Sequence, residues 1–182
     1  MLFSRNVPPS EVAGILVEPI QGEGGYIVPP DGFLPGLRAL CDEHGILLIC
    51  DEVQSGIGRT GRMFACEHWN VEPDIVCSAK GLGSGLPIGA VIAKKSLMSQ
   101  WQRGAHGNTY GGNPITCAAA SATLDLVDGG YRQNAARIGD YFMAELRTLQ
   151  SEFACIGEIR GKGLMIGMEL VANDAENTPA AR

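Results

Sequence analysis

The apolar residues of this 182-residue chain occur in short runs separated by turn-rich segments. Residues 12–19 are mostly apolar and predict a strand, and apolar positions at helical spacing over 33–41 predict a helix that ends at Gly45. The continuous apolar run 46–50 follows at once and is typical of a parallel strand covered on both faces. This order of strand, helix and strand predicts a β-α-β unit.

Two further apolar segments, 74–77 and 88–93, predict strands that are connected through the glycine-rich link 81–85. The link is too short for a parallel crossover. We therefore expect 88–93 to enter the sheet antiparallel to its neighbour, or at another place in the sheet.

The last third of the chain begins with Asn113 and Pro114, which predict the start of an Ala-rich helix. This helix is expected to reach about residue 127 and to end at the pair Gly129 and Gly130. The elements predicted after it are a helix over 131–150 and strands over 155–160 and 164–171.

The order of elements changes from α/β to α+β near residue 129. We therefore predict an α/β large domain over 1–128, with a mainly parallel sheet flanked by helices, and the start of a small α+β domain over 129–182. One helix and two strands are too few to enclose a core, and a buried-type strand lies almost at the start of the chain. We interpret the chain as a piece of a longer protein.

The charge of the chain argues against two classes of partner. With 14 Lys and Arg against 20 Asp and Glu, the formal net charge is −6, which disfavours binding to nucleic acid or to an anionic membrane surface. No apolar run approaches the roughly 20 residues of a membrane span, and residues 1–10 lack the pattern of a secretory signal. We therefore expect a cytoplasmic protein whose partners are small molecules and protein.

The chain has six cysteines and three histidines, and their spacing does not indicate a metal site. No Cys-x-x-Cys pair is present, and the neighbours of the cysteines are mostly apolar. We expect reduced, buried thiols and no bound metal.

Polar residues at the carboxyl ends of strands are the first candidates for chemistry, because ligands of α/β sheets bind there. Asp51 and Glu52 directly follow the strand 46–50, and two adjacent carboxylates at such a place are expected to need a cationic partner. Lys80 directly follows the segment 75–79, stands between two small residues, and is a candidate nucleophile. The alternatives are a solvated or turn-capping carboxylate and an ordinary surface lysine.

Two glycine-containing segments require separate interpretations. Residues 56–61 match the G-x-G-x-x-G nucleotide pattern, but no strand directly precedes them and no long helix is expected to follow, which argues against that function. Residues 107–114 place a hydroxyl and free amides before a helix N-terminus, where a phosphate could bind. Ordinary helix capping is the alternative for that segment.

Four linked segments together resemble the class III pyridoxal-phosphate aminotransferases. They are Glu-Pro-Ile-Gln-Gly-Glu-Gly-Gly at 18–25, Asp-Glu-Val-Gln-Ser-Gly at 51–56, Ser-Ala-Lys-Gly at 78–81 and Asn-Thr-Tyr-Gly-Gly-Asn-Pro at 108–114. Within that class the chain is most similar to the 4-aminobutyrate and acetylornithine or ornithine transaminases. The resemblance implies the large domain of the fold type I pyridoxal-phosphate enzymes.

The resemblance also implies roles around the cofactor, pyridoxal 5'-phosphate. Lys80 would hold it as a Schiff base and move the substrate proton, and Asp51 would pair with the pyridine nitrogen, which makes the ring an electron sink. Val53 would press on the ring face, and Gln54 would hydrogen-bond the ring hydroxyl. Thr109 would bind the cofactor phosphate of a neighbouring subunit, which implies a homodimer with a shared site.

The implied reaction moves an amino group from an ω-amino acid of the 4-aminobutyrate, acetylornithine or ornithine type to 2-oxoglutarate. Glu23 resembles the acid that pairs with a substrate-binding arginine, so that one site accepts two differently charged substrates. The phosphate-binding Gly/Ser turn, the ring-stacking aromatic residue and the late substrate arginine of the family would lie outside this chain. The alternatives are a racemase of the same family and a truncated chain without activity of its own.

Overall fold

A computed structural model describes residues 3, 7–172, 179 and 180. Its larger sheet has the strand order β1, β2, β3, β4. These strands are β1 (Gly14–Val17), β2 (Leu47–Asp51), β3 (Ile75–Ser78) and β4 (Ala90–Ala93). β1, β2 and β3 run parallel and β4 runs antiparallel to β3, so the antiparallel alternative expected from the short link is correct.

The helices of the described residues flank this sheet and lead out of it. They are α1 (Phe33–His44), the short α2 (Lys95–Met98), α3 (Pro114–Leu126) and α4 (Arg132–Glu152). A second, two-stranded antiparallel sheet is formed by β5 (Ile156–Lys162) and β6 (Met165–Leu170). No helix among the described residues is both long and apolar enough to cross a membrane.

Helix α1 follows from its apolar spacing and its terminal glycine. Leu34 and Cys41 are fully buried on one face of the helix, and the chain leaves the helix at Gly45 in the left-handed conformation, with φ of 68°. The amide of Gly45 donates to the Cys41 carbonyl, which closes the last turn. The helix therefore delivers the chain directly into β2, where Leu48 is fully buried.

Helices α3 and α4 meet at a kink rather than at a loop. Asn113 caps α3, because its side-chain oxygen accepts hydrogen bonds from the amides of Ile115 (2.9 Å) and Thr116 (3.4 Å). The chain then passes through one π turn, Val127–Tyr131, before α4 begins. The helix end that was predicted at Gly129 and Gly130 is thus a kink, at which the chain changes direction between α3 and α4.

The β5–β6 hairpin packs against the larger sheet and shares its core. Met165 is buried in a cluster with residues of that sheet and its connections, which are Ile20, Leu34, Cys41, Ile46, Leu48, Ala65, Trp69 and Val71. Two hydrogen bonds fix the hairpin, from Arg160 Nε to the Gly25 carbonyl and from the Leu164 amide to the Arg59 carbonyl, each 2.9 Å long. The hairpin is therefore held close to the loops that follow β1 and β2.

The cysteines occupy both core and surface positions. Cys41, Cys50 and Cys66 are buried thiols, as expected from their apolar neighbours. The expectation of burial is wrong for Cys117 and Cys155, which are exposed on or after the helices of the second half. All six are free thiols in this structure.

Candidate active site

The carboxyl ends of β2 and β3 bring the two principal candidate residues to one edge of the sheet. Asp51 is the last residue of β2 and is in register with Cys77 of the parallel strand β3. Lys80 follows two residues after Ser78, the last residue of β3. Parallel strands end at the same edge of a sheet, so Asp51 and Lys80 both lie where ligands of α/β folds bind.

Lys80 begins a tight turn in an unusual backbone conformation. Its φ of 40° lies in the left-handed region, which costs a non-glycine residue about 1–3 kcal/mol. The turn is held by hydrogen bonds from the Leu82 amide to the Ala79 carbonyl (2.9 Å) and from the Ser84 amide to the Gly81 carbonyl (3.2 Å). Leu82 is buried, so packing offsets the strain while the Lys80 side chain stays exposed.

The Lys80 side chain lines a cavity of about 390 Å³. Gln54, from the turn after β2, and Tyr26 line the same cavity. Its opposite wall is the β5–β6 turn with Leu164, Met165 and Ile166, and its remaining lining residues are Gly56, Ile57, Arg59 and Gly81. Segments that are more than 100 residues apart in the chain therefore enclose the candidate nucleophile.

Of the two polar atoms of the Gln54 side-chain amide, one forms a hydrogen bond and the other does not. Its Nε2 donates to Glu23 Oε1 at 3.3 Å, and its Oε1 is buried and accepts no hydrogen bond from the described residues. A buried acceptor without a donor costs free energy, which a ligand donor in the cavity would recover. Gln54 Oε1 is therefore a candidate binding group for a polar ligand beside Lys80.

The adjacent carboxylates Asp51 and Glu52 point into different environments. Glu52 is fully buried and accepts hydrogen bonds from the Ser55 hydroxyl (2.6 Å) and from the Cys66 amide (2.8 Å). The expected cationic partner is therefore wrong for Glu52, because two neutral donors satisfy its oxygens. Asp51 Oδ1 accepts from the Val53 amide at 3.0 Å, and among the described residues Asp51 forms no ion pair.

Two thiols near these carboxylates, Cys66 and Cys77, have raised pKa values. Burial raises the pKa of Cys77, and the charge of Asp51 beside it raises it further. A hydrogen bond with Cys50, followed by burial and the nearby Glu52 carboxylate, raises the pKa of Cys66. These cysteines are accordingly poor nucleophiles, and Lys80 stays the candidate nucleophile of the site.

The sequence matches the aminotransferase class-III family over residues 3–182. The chain belongs to the class-III aminotransferases. The resemblance drawn from its four motifs is therefore confirmed.

Individual members of the family are about half identical to this chain over the aligned residues. The acetylornithine aminotransferase of Methanopyrus kandleri is 51% identical over 161 residues, which are 88% of this chain and 41% of that protein. The alanine/serine racemase of Pyrococcus horikoshii is 44% identical over 179 residues, 98% of this chain and 38% of that protein. The chain thus spans about two fifths of the length of these relatives.

Solved structures show the same fold. An amine transaminase from an uncultivated Pseudomonas species, in its PLP-bound internal aldimine form, superposes with a TM-score of 0.88 at 42% identity, covering 95% of this chain and 41% of that one. The predicted α/β fold of the class-III aminotransferases, a mainly parallel sheet flanked by helices, is confirmed by this match and by the observed sheet.

Not every predicted site residue of this class-III chain reaches the cavity. Asp51 and Val53 lie at and after the end of β2 but do not line the cavity, and Glu23 is linked to it by the hydrogen bond from Gln54. Thr109 lies in an exposed loop before α3 and does not line the cavity. The structure of one chain therefore brings Lys80 and Gln54 together and leaves Thr109 apart.

The sequence motifs alone did not indicate all of the lining residues. Arg59 belongs to the segment 56–61, which leads into turns and the 3-10 helix Ala65–Trp69 instead of the α-helix that a dinucleotide site needs. Tyr26 and the β5–β6 turn reach the cavity through contacts between distant segments, which have no local signature. The described residues contain no group of three or more potential metal ligands.

Proposed function

We propose that this chain carries the catalytic lysine of a pyridoxal-phosphate-dependent aminotransferase. The enzyme transfers an amino group from an ω-amino acid of the 4-aminobutyrate, acetylornithine or ornithine type to 2-oxoglutarate. The observation that carries the proposal is the cavity in which Lys80 and Gln54 meet, at the sheet edge where Asp51 ends β2. Family membership and the similarity to an acetylornithine aminotransferase support it.

The residues of the cavity fit the ring of the cofactor. Gln54 Oε1 is a buried acceptor without a donor among the described residues, and the ring hydroxyl of pyridoxal phosphate offers one. Lys80 is an exposed amine in the same cavity. When bound, the cofactor supplies an electron sink for the substrate carbon that loses a proton.

Lys80 has two tasks in this proposal. Its Nζ would hold the cofactor through the aldehyde group, and as a free amine beside bound substrate the same Nζ would take a proton from the substrate and return it. The strained turn at Lys80 limits the positions that the amine can reach, because Leu82 anchors it in the core. We expect Lys80→Ala to reduce turnover by at least about 10²–10⁴-fold, the usual contribution of a general base.

Asp51 acts on the opposite end of the ring in this proposal. A carboxylate near the pyridine nitrogen favours the protonated form of that nitrogen, and the bond from the Val53 amide fixes one of its two oxygens. Val53 itself presses on the ring face. We expect Asp51→Asn to lower turnover far more than cofactor binding, measured by assay and by spectroscopic titration.

The remaining roles involve charge and a second subunit. Glu23 pairs with a substrate-binding arginine for one substrate and releases it for the other. Thr109 binds the cofactor phosphate of the neighbouring subunit in a homodimer, a role for which its exposed position in one chain leaves it accessible. A cytoplasmic location and the division into domains 1–128 and 129–182 remain predictions.

Activity assays on the full-length enzyme test the proposal. Acetylornithine, ornithine and 4-aminobutyrate are each incubated with 2-oxoglutarate, and glutamate is measured. Lys94→Ala is the matched control for Lys80→Ala. Lys94 pairs with Glu72 and follows Ala93, which is in register with Ile75 at the amino end of β3, away from the edge that carries Lys80. Glutamate formation that survives Lys80→Ala would contradict the assigned role.

A racemase is the second candidate, because the alanine/serine racemase of Pyrococcus horikoshii is 44% identical over 179 residues. Lys80, Asp51 and Gln54 would serve that reaction equally well, since both reactions begin with loss of a substrate proton. Chiral chromatography of alanine and serine distinguishes the two: a racemase inverts the amino acid without an oxo acid, and a transaminase requires the oxo acid.

The 182-residue chain alone is proposed to be inactive. It spans about two fifths of the length of its relatives. The family resemblance implies that the phosphate-binding turn, the ring-stacking aromatic residue and the late arginine would lie outside it. Glutamate formation by the purified chain would contradict this proposal without affecting the role of Lys80 in the full-length enzyme.

A further inference from the structure

A second cavity, of about 380 Å³, lies between α4 and the turn of the β5–β6 hairpin. Gly139 of α4 and Gly163 of the turn both line it, and a Cβ at either position would overlap backbone atoms. The hairpin therefore approaches the helix closely, which places Lys162 in one cavity with residues of α4 and of the 3-10 helix Ala65–Trp69. This cavity shares no lining residue with the one that contains Lys80.

Three basic side chains from three different elements line this second cavity. They are His68 of the 3-10 helix, Arg147 of α4 and Lys162 at the end of β5. The one acidic lining residue is Asp140, which is exposed. Among the described residues, Arg147, Lys162 and Asp140 form no ion pair. The two permanent cations of the cavity therefore have no described carboxylate within ion-pair distance.

The backbone and the ring of Trp69 restrict the position of Lys162. It stands between Gly161 and Gly163, whose φ angles of 147° and 54° favour glycine. Its Nζ lies 5.5 Å from the centroid of the buried Trp69 ring. Lys162 is itself half-buried, so its ammonium group has fewer accessible positions than that of an exposed lysine.

The titration of His68 reflects the positive charge around it. Its Nε2 lies 3.1 Å from both the carbonyl and the hydroxyl oxygen of Thr60. Burial, and then the charge of Lys162, lowers the pKa of His68, and Arg62 lowers it further. The bond with the Thr60 carbonyl and the nearby Glu67 carboxylate act in the opposite direction but do not cancel the decrease. These cations disfavour a further positive charge and would favour a negative one.

We propose that this cavity binds a phosphate group through Lys162 and Arg147. The planar guanidinium of an arginine matches two phosphate oxygens, and a lysine adds a point charge. A phosphate group carries about −1.5 to −2 charges at pH 7, so it balances two cations, whereas a carboxylate balances one. The cavity is larger than a phosphate ion and has room for the body of a small phosphomonoester. This inference does not rest on the proposed function.

Isothermal titration calorimetry of the full-length enzyme tests the proposal. The enzyme is first loaded with pyridoxal phosphate and freed of the excess, so that inorganic phosphate cannot enter an empty cofactor site. We expect inorganic phosphate and glycerol phosphate both to bind. Tighter binding of glycerol phosphate would identify a phosphomonoester as the ligand, and equal affinities would identify free phosphate. Absence of binding by either anion would overturn the proposal.

Charge substitutions within the cavity show whether phosphate binds there. We expect Lys162→Met and Arg147→Met each to weaken binding about tenfold, the size of one charge-assisted hydrogen bond. Lys162→Arg keeps the charge and should bind like the wild type, and Asp140→Asn removes a negative charge and should tighten binding. Arg137→Met is the matched control for Arg147→Met, because Arg137 lies on the same helix, bonds Asn134 and does not line the cavity. Equal affinities in all of these variants would overturn the proposal.

NMR titration of isotope-labelled histidine gives a second, local readout. A bound phosphate brings negative charge beside the His68 ring, so we expect a higher pKa of His68 in phosphate than in chloride at equal ionic strength. The increase should be smaller in Lys162→Met. His106, in an exposed loop that does not line the cavity, is the internal control. If the pKa of His68 is the same in phosphate and in chloride, phosphate binds elsewhere and the proposal is wrong.

Discussion

Helix α4 and the β5–β6 turn meet at two glycines, and this contact offers a sharp test of how the cavity wall is held. A Cβ added at Gly139 would overlap the carbonyl group of Gly163 and lie 2.5 Å from its Cα. A Cβ at Gly163 would in turn overlap the backbone of Thr60. Gly139→Ala therefore cannot be accommodated by a side-chain movement, and α4 has to move away from the turn.

The size of the effect follows from two opposing contributions. Forcing a methyl group into a packed contact costs about 1–3 kcal/mol, and replacing a helical glycine by alanine returns about 0.5–1 kcal/mol. The difference between these ranges is about 0–2.5 kcal/mol. Because the methyl group would meet backbone and not a flexible side chain, we expect the upper part of that range, about 1–2 kcal/mol, or a fall in Tm of roughly 2–8 °C for a chain of this size.

Urea and thermal unfolding of the purified chain measure this change, with Gly36→Ala as the control. Gly36 also lies within a helix, α1, but a Cβ there would meet nothing within 4 Å. We expect Gly36→Ala to stabilise the fold by up to about 1 kcal/mol. Gly139→Ala that is as stable as Gly36→Ala would refute the packing argument.

Three further predictions concern the core, a helix cap and pH. Leu48→Ala is expected to cost about 2–5 kcal/mol in urea unfolding, since Leu48 is fully buried, whereas Leu16→Ala, 65% exposed, should cost much less. Asn113→Ala removes two cap hydrogen bonds and should lower the free energy of unfolding by about 1 kcal/mol. Burial, and then the nearby Lys162, lowers the pKa of His68 below its usual 6.5. The unfolded chain then binds the proton more readily than the folded chain, so the free energy of unfolding should fall as the pH drops below about 6.5. Lys162→Met should lessen that fall. The same variant should raise the pKa of His68, as measured by NMR titration.

Local pattern was sufficient to predict the elements of the sheet. The continuous apolar run before Asp51 and the glycine at position 45 predicted β2 and the end of α1 to within one residue, because burial and the left-handed turn leave a direct trace in the sequence. The antiparallel β4 followed from the length of its connection. The candidate nucleophile Lys80 was found because strand ends in such sheets converge on one edge.

The parts that could not be predicted depend on contacts between distant segments. Arg59 and the β5–β6 turn line the cavity because the Leu164 amide bonds the Arg59 carbonyl, a contact between residues with no local pattern in common. The requirement of a cation for Glu52 was wrong for a similar reason. Its partner Cys66 lies 14 residues away and donates through its backbone amide, whereas the sequence pattern indicated only a buried apolar side chain at that position.

A crystal structure of the full-length enzyme with bound pyridoxal phosphate tests the central claim most directly. We expect continuous density from Lys80 Nζ to the cofactor and a pyridine nitrogen within about 3 Å of the Asp51 carboxylate. A cofactor joined to another lysine, or a ring that Asp51 cannot reach while Lys80 holds it, would contradict the account.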